Sequence, residues 1–428
     1  MPQPMMTATT ADRSSPPPSS SFGLVALVVA LFFIWGGVTS LNDVLVPKLK
    51  GLFRLTYAEA MLIQFAFFTA YAVVSVPAGA LVARLGYGRG LIVGLVVMAA
   101  GCLLFAPAAS TATYGLFLCA LFVLAGGITI LQVAANPLIA NLGRPETSSS
   151  RLTFAQAFNS LGTTIMPYLG ARLILGPVAG SHGVPRAEEA AVIGHAYVGI
   201  AVVLLVIALV FWRPRARLGA PAKAAGIGGS LALLGRRRLG FGVLAIFLYV
   251  GAEVTIGSLL VNYLMQPSTL GLDQQTAGER LAFYWGGAMV GRFAGALILR
   301  VISPGKVLAL AALGAGGLVA VSALSSGGVA GWTLIAVGLM NSIMFPTIFS
   351  LALEGLGEKT PQGSGLLCMA IVGGAVVPLL GGVTADAAGL SVALAVPVIC
   401  YAIIALFGWS ARRPGPLPAP PAEAPSIL

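Results

Sequence analysis

Glu253 is a carboxylate in the middle of an apolar stretch. Residues 239–266 contain no other charged side chain, and more than ten neutral, mostly apolar residues lie on either side of it. A helix of about 20 apolar residues crosses a bilayer, and an acid at its centre costs roughly 2.5 to 3.5 kcal/mol to insert. An acid at this depth therefore indicates a function such as ion coupling. The alternative is a packing glutamate that stays protonated and hydrogen-bonded to a neighbour.

Side-chain amides form a second set of polar residues inside apolar segments. Gln132 and Asn136 lie four residues apart. Gln156 and Asn159 lie three apart, so each pair shares one face of a helix. Hydrocarbon offers amides no hydrogen-bond partner, so these groups must face the bundle interior or a water-filled cavity. Amides both donate and accept, which suits the hydroxyl groups of a sugar. Asn42, at the end of the first apolar segment, belongs to the same set.

A second acid and three aromatic residues accompany the amides. Asp43 ends the first apolar segment, shortly before Lys48, and is either a coupling acid or a wetted acid at the membrane interface. Trp35, Tyr249 and Trp285 offer flat faces against which the C–H groups of a pyranose can pack. Each of these rings taken singly is equally explained by core packing or by an interfacial belt.

The composition places all these residues in a membrane protein. The chain of 428 residues is 58% hydrophobic and 9% charged, whereas soluble domains have about 25% charged residues. An ordinary water-soluble fold is thereby excluded. Segment length predicts an all-α protein with twelve transmembrane helices. The predicted spans are 22–47, 57–83, 90–109, 112–142, 152–175, 190–212, 239–266, 280–300, 305–325, 329–353, 363–385 and 391–411.

The basic residues orient the chain in the membrane. The net charge is +11, and most of the 24 Lys and Arg residues fall on alternate loops. Loops of this kind face the cytoplasm, so both termini are predicted to be cytoplasmic. The basic excess thus orients the protein, and no nucleic-acid partner is expected. Arg292 lies within a span, where it either snorkels to the interface or pairs with an acid.

The chain is predicted to contain two six-helix halves, residues 22–212 and 239–411. Residues 213–238 form a basic cytoplasmic linker between them, and the tails 1–21 and 412–428 are predicted to be disordered or extended. The halves repeat: Ala-Gly-Ala-Leu at 78–81 recurs at 294–297, and Pro-x-Leu-Gly at 167–170 recurs at 378–381. Two matches at similar offsets in corresponding spans favour duplication.

Enzyme chemistry is not predicted. The sequence shows no nucleophile paired with a base and no phosphate-binding loop, and its histidines, His182 and His195, both lie near the loop between the fifth and sixth spans. The four cysteines fall inside predicted spans at spacings that fit neither a metal cluster nor a disulfide framework. We therefore expect no metal and no organic cofactor.

Six long blocks resemble the fucose/galactose/glucose:proton symporter family of the major facilitator superfamily. The loop after the second span, Gly79-x4-Arg84-x-Gly86-x2-Arg89, is similar to the signature loop of that superfamily, although Ala83 stands where an aspartate is usual. The resemblance covers both halves and implies the major facilitator fold, in which two repeats move about a site near the bilayer midplane. The blocks are residues 32–50, 131–143, 149–165, 248–264, 284–296 and 345–357.

The resemblance also implies which residues couple sugar to protons. The fucose-transporting branch uses an acid in helix 1 and an acid in helix 4, positions that correspond to Asp43 and Gln132. Gln132 cannot take a proton, although it can still bind sugar. The helix 5 amides of the family correspond to Gln156 and Asn159. In helix 7, Glu253 stands where the fucose branch carries a neutral glutamine, which resembles the bacterial glucose/galactose branch instead.

The resemblance implies import of glucose, galactose or both, by proton symport across the bacterial inner membrane. Sodium coupling, another sugar such as fucose, mannose or N-acetylglucosamine, and efflux by antiport remain alternatives. Besides the sugar, the expected partners are the coupling ion, H⁺ or Na⁺, and the surrounding lipid, and the protein is expected to act as a monomer. The candidate coupling acids are Asp43 and Glu253. The candidate sugar contacts are Asn42, Gln132, Asn136, Gln156, Asn159, Trp35, Tyr249 and Trp285.

Overall fold

The first half of the chain forms six long helices. The computed structural model describes residues 22–55, 57–170, 186–218 and 227–413. The predicted tail 1–21, residues 414–428 of the predicted tail 412–428, residues 219–226 of the linker and the position of His182 lie outside the described residues. The helices of this half are α1 (Phe22–Phe53), α2 (Tyr57–Leu85), α3 (Tyr87–Ser110), α4 (Tyr114–Asn141), α5 (Ser148–Gly170) and α6 (Arg186–Trp212).

The second half contains three spans that are interrupted. The spans predicted as single helices at 329–353, 363–385 and 391–411 each consist of two helices. The order is α7 (Ile227–Leu231), α8 (Arg237–Met265), α9 (Gln274–Ile298), α10 (Pro304–Leu324), α11 (Gly327–Asn341), α12 (Met344–Leu353), α13 (Thr360–Met369), α14 (Gly373–Ala388), α15 (Leu390–Ala393) and α16 (Ala395–Ser410).

Proline accounts for two of these interruptions. Pro346 and Pro397 have no N–H, so the carbonyls of Ser342 and Ala393, four residues earlier, lack their usual helical donors. The breaks occur at these carbonyls, between α11 and α12 and between α15 and α16. Between α13 and α14, a 3₁₀ turn at Ala370–Val372 separates the helices. Hydropathy cannot detect such breaks, because the residues on both sides stay apolar.

Eleven segments of the described residues are long and apolar enough to cross a membrane, if each interrupted pair is counted once. Helix α5 makes the twelfth predicted span, but its polar side chains keep it out of that set. It packs against α1 in its own half and against α9 in the other half. A helix enclosed in this way can carry amides that a lipid-facing helix cannot.

The two halves meet near one end of the bundle. We call this the basic end; it is formed by residues 84–89, 142–148, 213–218, 300–306 and 354–360. There, Ser149 Oγ lies 2.6 Å from Ser350 Oγ, and Ser150 Oγ donates to the carbonyl of Ala296 at 2.5 Å. Ser364 Oγ donates to the carbonyl of Val133 at 2.9 Å. Serine hydroxyls, one bonded to another hydroxyl and two to backbone carbonyls, therefore link the halves near the basic end.

Candidate functional site

Asn136 on α4 and Gln156 on α5 form a buried pair of amides. Gln156 Nε2 donates to Asn136 Oδ1 at 3.4 Å, a long hydrogen bond, and the two residues are 5% and 0% exposed. Within the described part of the chain, Asn136 Nδ2 has no hydrogen-bond partner. A buried donor without a partner is costly unless water or a ligand satisfies it. The structure thus brings together two of the predicted sugar contacts and leaves them with unused hydrogen-bonding capacity.

Two further predicted amides, Gln132 and Asn159, bond to other partners. Gln132 Nε2 donates to the hydroxyl of Tyr71 on α2 at 2.6 Å. Asn159 Nδ2 donates to the carbonyl of Phe32 on α1 at 3.0 Å. Position 36 on α1 must be glycine for this close approach, because a Cβ there would lie 2.6 Å from Asn159 Nδ2. Gln132 therefore links α4 to α2, and Asn159 links α5 to α1.

The three predicted aromatic contacts differ in exposure. Trp35 is 4% exposed and packs on Phe32, with ring centroids 4.4 Å apart, and Tyr249 is 1% exposed. Trp285 is 43% exposed and stands nearly perpendicular to Tyr284, with centroids 5.0 Å apart. Of the three, only Trp285 has a substantially exposed side chain.

Glu253 lies in α8 within a cluster of tyrosines. Its Oε1 accepts a hydrogen bond from the Tyr249 hydroxyl at 2.8 Å, and its backbone carbonyl accepts one from Tyr284 at 3.3 Å. Asn341 joins the same cluster, because its Nδ2 donates to the Tyr284 hydroxyl at 2.9 Å and its Oδ1 accepts from Tyr401 at 2.8 Å. The side chain of Glu253 is only partly buried among these residues.

Arg292 bridges the two halves. Its Nε donates to the carbonyl of Ser342 at 3.2 Å, and its guanidinium also donates to Ser160 Oγ on α5. The alternative in which Arg292 snorkels to the interface is therefore wrong; the side chain turns into the bundle because the Ser342 carbonyl lacks a helical donor. The guanidinium is close enough to act electrostatically on Glu253.

Asn42 and Asp43 lie inside α1, not at its end. The helix continues to Phe53. The predicted span 22–47 lies within this helix, and the part apolar enough to cross a membrane runs from Gly23 to Leu41, just before Asn42. The side chains of Asn42 and Asp43 are outside the described part of the structure, so their coupling and sugar-binding roles stay predictions.

Two polar residues of the cluster around Glu253 escaped the sequence predictions. Asn341 is an amide inside the predicted span 329–353, and the criterion that selected Asn136 selects it too. Tyr401 resembles any other tyrosine of an apolar span, and only its bond to Asn341 distinguishes it. The sequence therefore held a signal for Asn341 and none for Tyr401.

An apolar groove of about 380 Å³ lies between α1, α5 and α6. Phe33, Met166 and Leu204 contribute to its walls, and His195 stands among them. Among the described residues, its walls contain none of the predicted amides or acids. The groove therefore offers little to the hydroxyl groups of a sugar.

Comparison with known proteins gives consistent matches along the chain. A family model of the Major Facilitator Superfamily matches residues 27–371. A glucose/galactose transporter of Brucella abortus is 52% identical over 390 residues, which cover 90% of this chain and 93% of that protein. An L-fucose-proton symporter of Escherichia coli is 38% identical over 405 residues, covering 89% of this chain and 91% of that protein.

A solved structure matches at the level of the fold. The crystal structure of the Major Facilitator Superfamily transporter FucP in the outward conformation superposes with a TM-score of 0.80 at 34% identity. The superposition covers 90% of this chain and 98% of the FucP chain.

Proposed function

The chain belongs to the Major Facilitator Superfamily, and on that premise we propose that it imports glucose and galactose together with a proton. Membership confirms the resemblance found in the sequence and the predicted fold. The functions of these relatives, glucose/galactose transport and fucose–proton symport, support a sugar as substrate and a proton as coupling ion. A transporter of this kind needs no catalytic residues and no organic cofactor.

The observation that carries the proposal is the separation of two polar clusters inside an apolar bundle. The amide cluster, Asn136 and Gln156, belongs to the first half and is uncharged. The acid cluster, Glu253 with Tyr249, Tyr284, Asn341 and Tyr401, belongs to the second half. Amides suit sugar hydroxyls, and a partly buried carboxyl group suits a proton. One cluster in each half fits a carrier that closes around its site and moves both cargoes together.

Transport then follows from alternating access. With the basic end closed, Glu253 takes a proton from the far side, and the loss of charge lowers the cost of enclosing the acid in the protein. Sugar binds to the amide cluster and to Trp285. The basic end opens, sugar and proton leave, and the empty carrier returns. One charge crossing 100 mV supplies about 2.3 kcal/mol and a tenfold proton gradient about 1.4 kcal/mol, together enough for several-hundred-fold accumulation.

The setting of the protein belongs to the same proposal. We place the chain in the bacterial inner membrane, with the basic end and both termini in the cytoplasm, as the distribution of Lys and Arg favours. The two halves enclose the site within one chain, which supports a functional monomer surrounded by lipid.

Uptake into proteoliposomes under one imposed gradient at a time tests the proposal. An inward proton gradient is expected to drive accumulation of labelled glucose, and an inward sodium gradient at equal pH is expected to drive none. Unlabelled galactose should compete with glucose, while fucose, mannose and N-acetylglucosamine should compete weakly. Accumulation driven by sodium alone, or stronger competition by fucose than by galactose, would contradict it.

A further inference from the structure

The Tyr249 hydroxyl contacts two acceptors at once. It lies 2.8 Å from Glu253 Oε1 and 3.2 Å from the backbone carbonyl oxygen of Asn341. A phenol carries one proton, so it can donate to only one of these oxygens at a time. A carboxylate accepts more strongly than a neutral carbonyl. Which acceptor receives the proton of Tyr249 therefore depends on whether Glu253 is ionised.

The Asn341 carbonyl lies at the break between α11 and α12. Helix α11 ends at Asn341, and α12 begins at Met344. The next carbonyl, that of Ser342, has no helical donor because the residue four positions later is Pro346. Arg292 Nε supplies the missing hydrogen bond, donating to the Ser342 carbonyl oxygen at 3.2 Å. Two consecutive carbonyls at the break are thus held by side chains, one by Tyr249 and the other by Arg292.

Neighbouring contacts fix the break in place. The side chain of Asn341 is held on both sides, by the hydroxyls of Tyr284 and Tyr401. Helix α9 packs directly on the break, because a Cβ at Gly291 would lie 2.5 Å from Ser342 Oγ. A change in the hydrogen bonds of these two carbonyls therefore acts on the packing between α9 and the break.

The break is also connected to the other half. Arg292 holds the Ser342 carbonyl and donates to Ser160 on α5 with the same guanidinium. A path of direct contacts thus runs from Glu253 through Tyr249, the 341–342 backbone and Arg292 to Ser160. Glu253 lies at one end of this path, and the contact between the halves lies at the other.

We propose that Tyr249 is a positioning residue that transmits the protonation of Glu253 to the α11–α12 break, and through Arg292 to the contact between the halves. When Glu253 is ionised, Tyr249 donates to the carboxylate, and the Asn341 carbonyl has no side-chain donor. When a proton from solvent binds Glu253, the new acid O–H donates to the Tyr249 oxygen, and the Tyr249 proton turns to the Asn341 carbonyl. One proton is gained and only hydrogen bonds are exchanged.

The groups that face Glu253 are consistent with this role. They are Tyr249 on its own helix, Tyr284 and Arg292 on α9, and Tyr401 on α16. The hydroxyls of Tyr284 and Tyr401 are hydrogen-bonded to the Asn341 side chain. Arg292 is hydrogen-bonded to the Ser342 carbonyl and to Ser160 Oγ. Tyr249 is the member of this set that contacts both the carboxyl group and the break.

The test compares Tyr249→Phe with Tyr263→Phe. Tyr263 is buried on the same helix, and its hydroxyl donates to the carbonyl of Ser322 at 2.8 Å, so its substitution removes a similar buried bond outside the path. For each variant, glucose accumulation driven by a proton gradient is divided by glucose exchange at equal pH. A structural defect lowers both rates together. Tyr249→Phe is expected to lower the ratio at least tenfold, while Tyr263→Phe keeps the wild-type ratio.

A second variant covers the case in which Tyr249→Phe does not fold. Pro346→Ala gives the Ser342 carbonyl an amide donor within its own helix and so competes with Arg292. It is expected to lower the same ratio severalfold. Wild-type ratios in the folded variants would overturn the inference. The inference rests on the proposed function, which fails separately if the wild-type protein shows no accumulation driven by protons.

Discussion

The amide cluster and the acid cluster differ in how completely their polar groups are satisfied. In the first half, the bond between Gln156 and Asn136 is long, at 3.4 Å, and Asn136 Nδ2 has no partner within the described residues. In the second half, Asn341 makes side-chain bonds of 2.9 and 2.8 Å to two tyrosines, and Glu253 accepts a bond of 2.8 Å from a third.

This difference in hydrogen bonding bears on the proposed role of each cluster. A cluster with unused donors has hydrogen bonds to offer a ligand with many hydroxyl groups. A cluster whose members hold one another keeps an acid in a fixed place, where the gain or loss of a single proton changes the local bonding. This contrast supports the proposal that the amide cluster binds sugar and that Glu253 binds the proton.

Removing the acid should have the largest effect. In Glu253→Gln, sugar can still be exchanged, but position 253 no longer binds a proton. If Glu253 is the coupling acid, the accumulation ratio should fall from its several-hundred-fold limit to about one. The measurement is uptake driven by a proton gradient beside exchange at equal pH. Glu354→Gln is the matched control, because Glu354 pairs with Arg238 at the basic end, at 2.5 Å. Strong accumulation of glucose by the Glu253 variant would show that the acid cluster does not carry the coupling proton.

Removing the amides should have a smaller effect of a different kind. Gln156→Ala or Asn136→Ala deletes hydrogen bonds to sugar, each contributing about 0.5 to 1.5 kcal/mol, so the Kd for glucose should rise roughly two- to tenfold. Calorimetry on the purified protein measures this shift. Asn141→Ala, an exposed amide at the end of the same helix α4, should leave the Kd unchanged. Unchanged affinity in both cluster variants would show that sugar binds elsewhere.

Removing the Ser160 hydroxyl should have the smallest effect. Ser160→Ala loses one bond between the halves, worth about 1 kcal/mol, so the population with the basic end closed should fall about fivefold relative to the open one. Spin labels at 113 and 326, at the opposite end of the bundle, should move closer on average in a cysteine-free background. Thr163→Ala is the control, since its hydroxyl bonds within α5, to the carbonyl of Ser160. A distance distribution identical to that of the control would deny Ser160 this role.

Some of the site could be predicted from the sequence because hydrocarbon penalises polar groups strongly. Glu253, Asn136 and Gln156 stand out by type and depth alone. The contacts around the acid could not be predicted. Tyr249, which binds Glu253, also binds the backbone of Asn341, 92 residues away, and no local sequence pattern indicates that contact. The break at Ser342 depends on Pro346, whose effect on a carbonyl does not register in hydropathy. The direction of the Arg292 side chain could not be predicted for the same reason, because the Ser342 carbonyl that it binds is free of a helical donor only at that break.

Counting protons per sugar compares the two clusters most directly. Proteoliposomes are given glucose without an imposed proton gradient, and sugar uptake and external alkalinisation are recorded together for wild type, Gln156→Ala and Glu253→Gln. The account predicts that Gln156→Ala moves sugar more slowly but with the wild-type number of protons, whereas Glu253→Gln moves sugar with none. Wild-type proton movement in the Glu253 variant, or a changed proton count in the Gln156 variant, would contradict it.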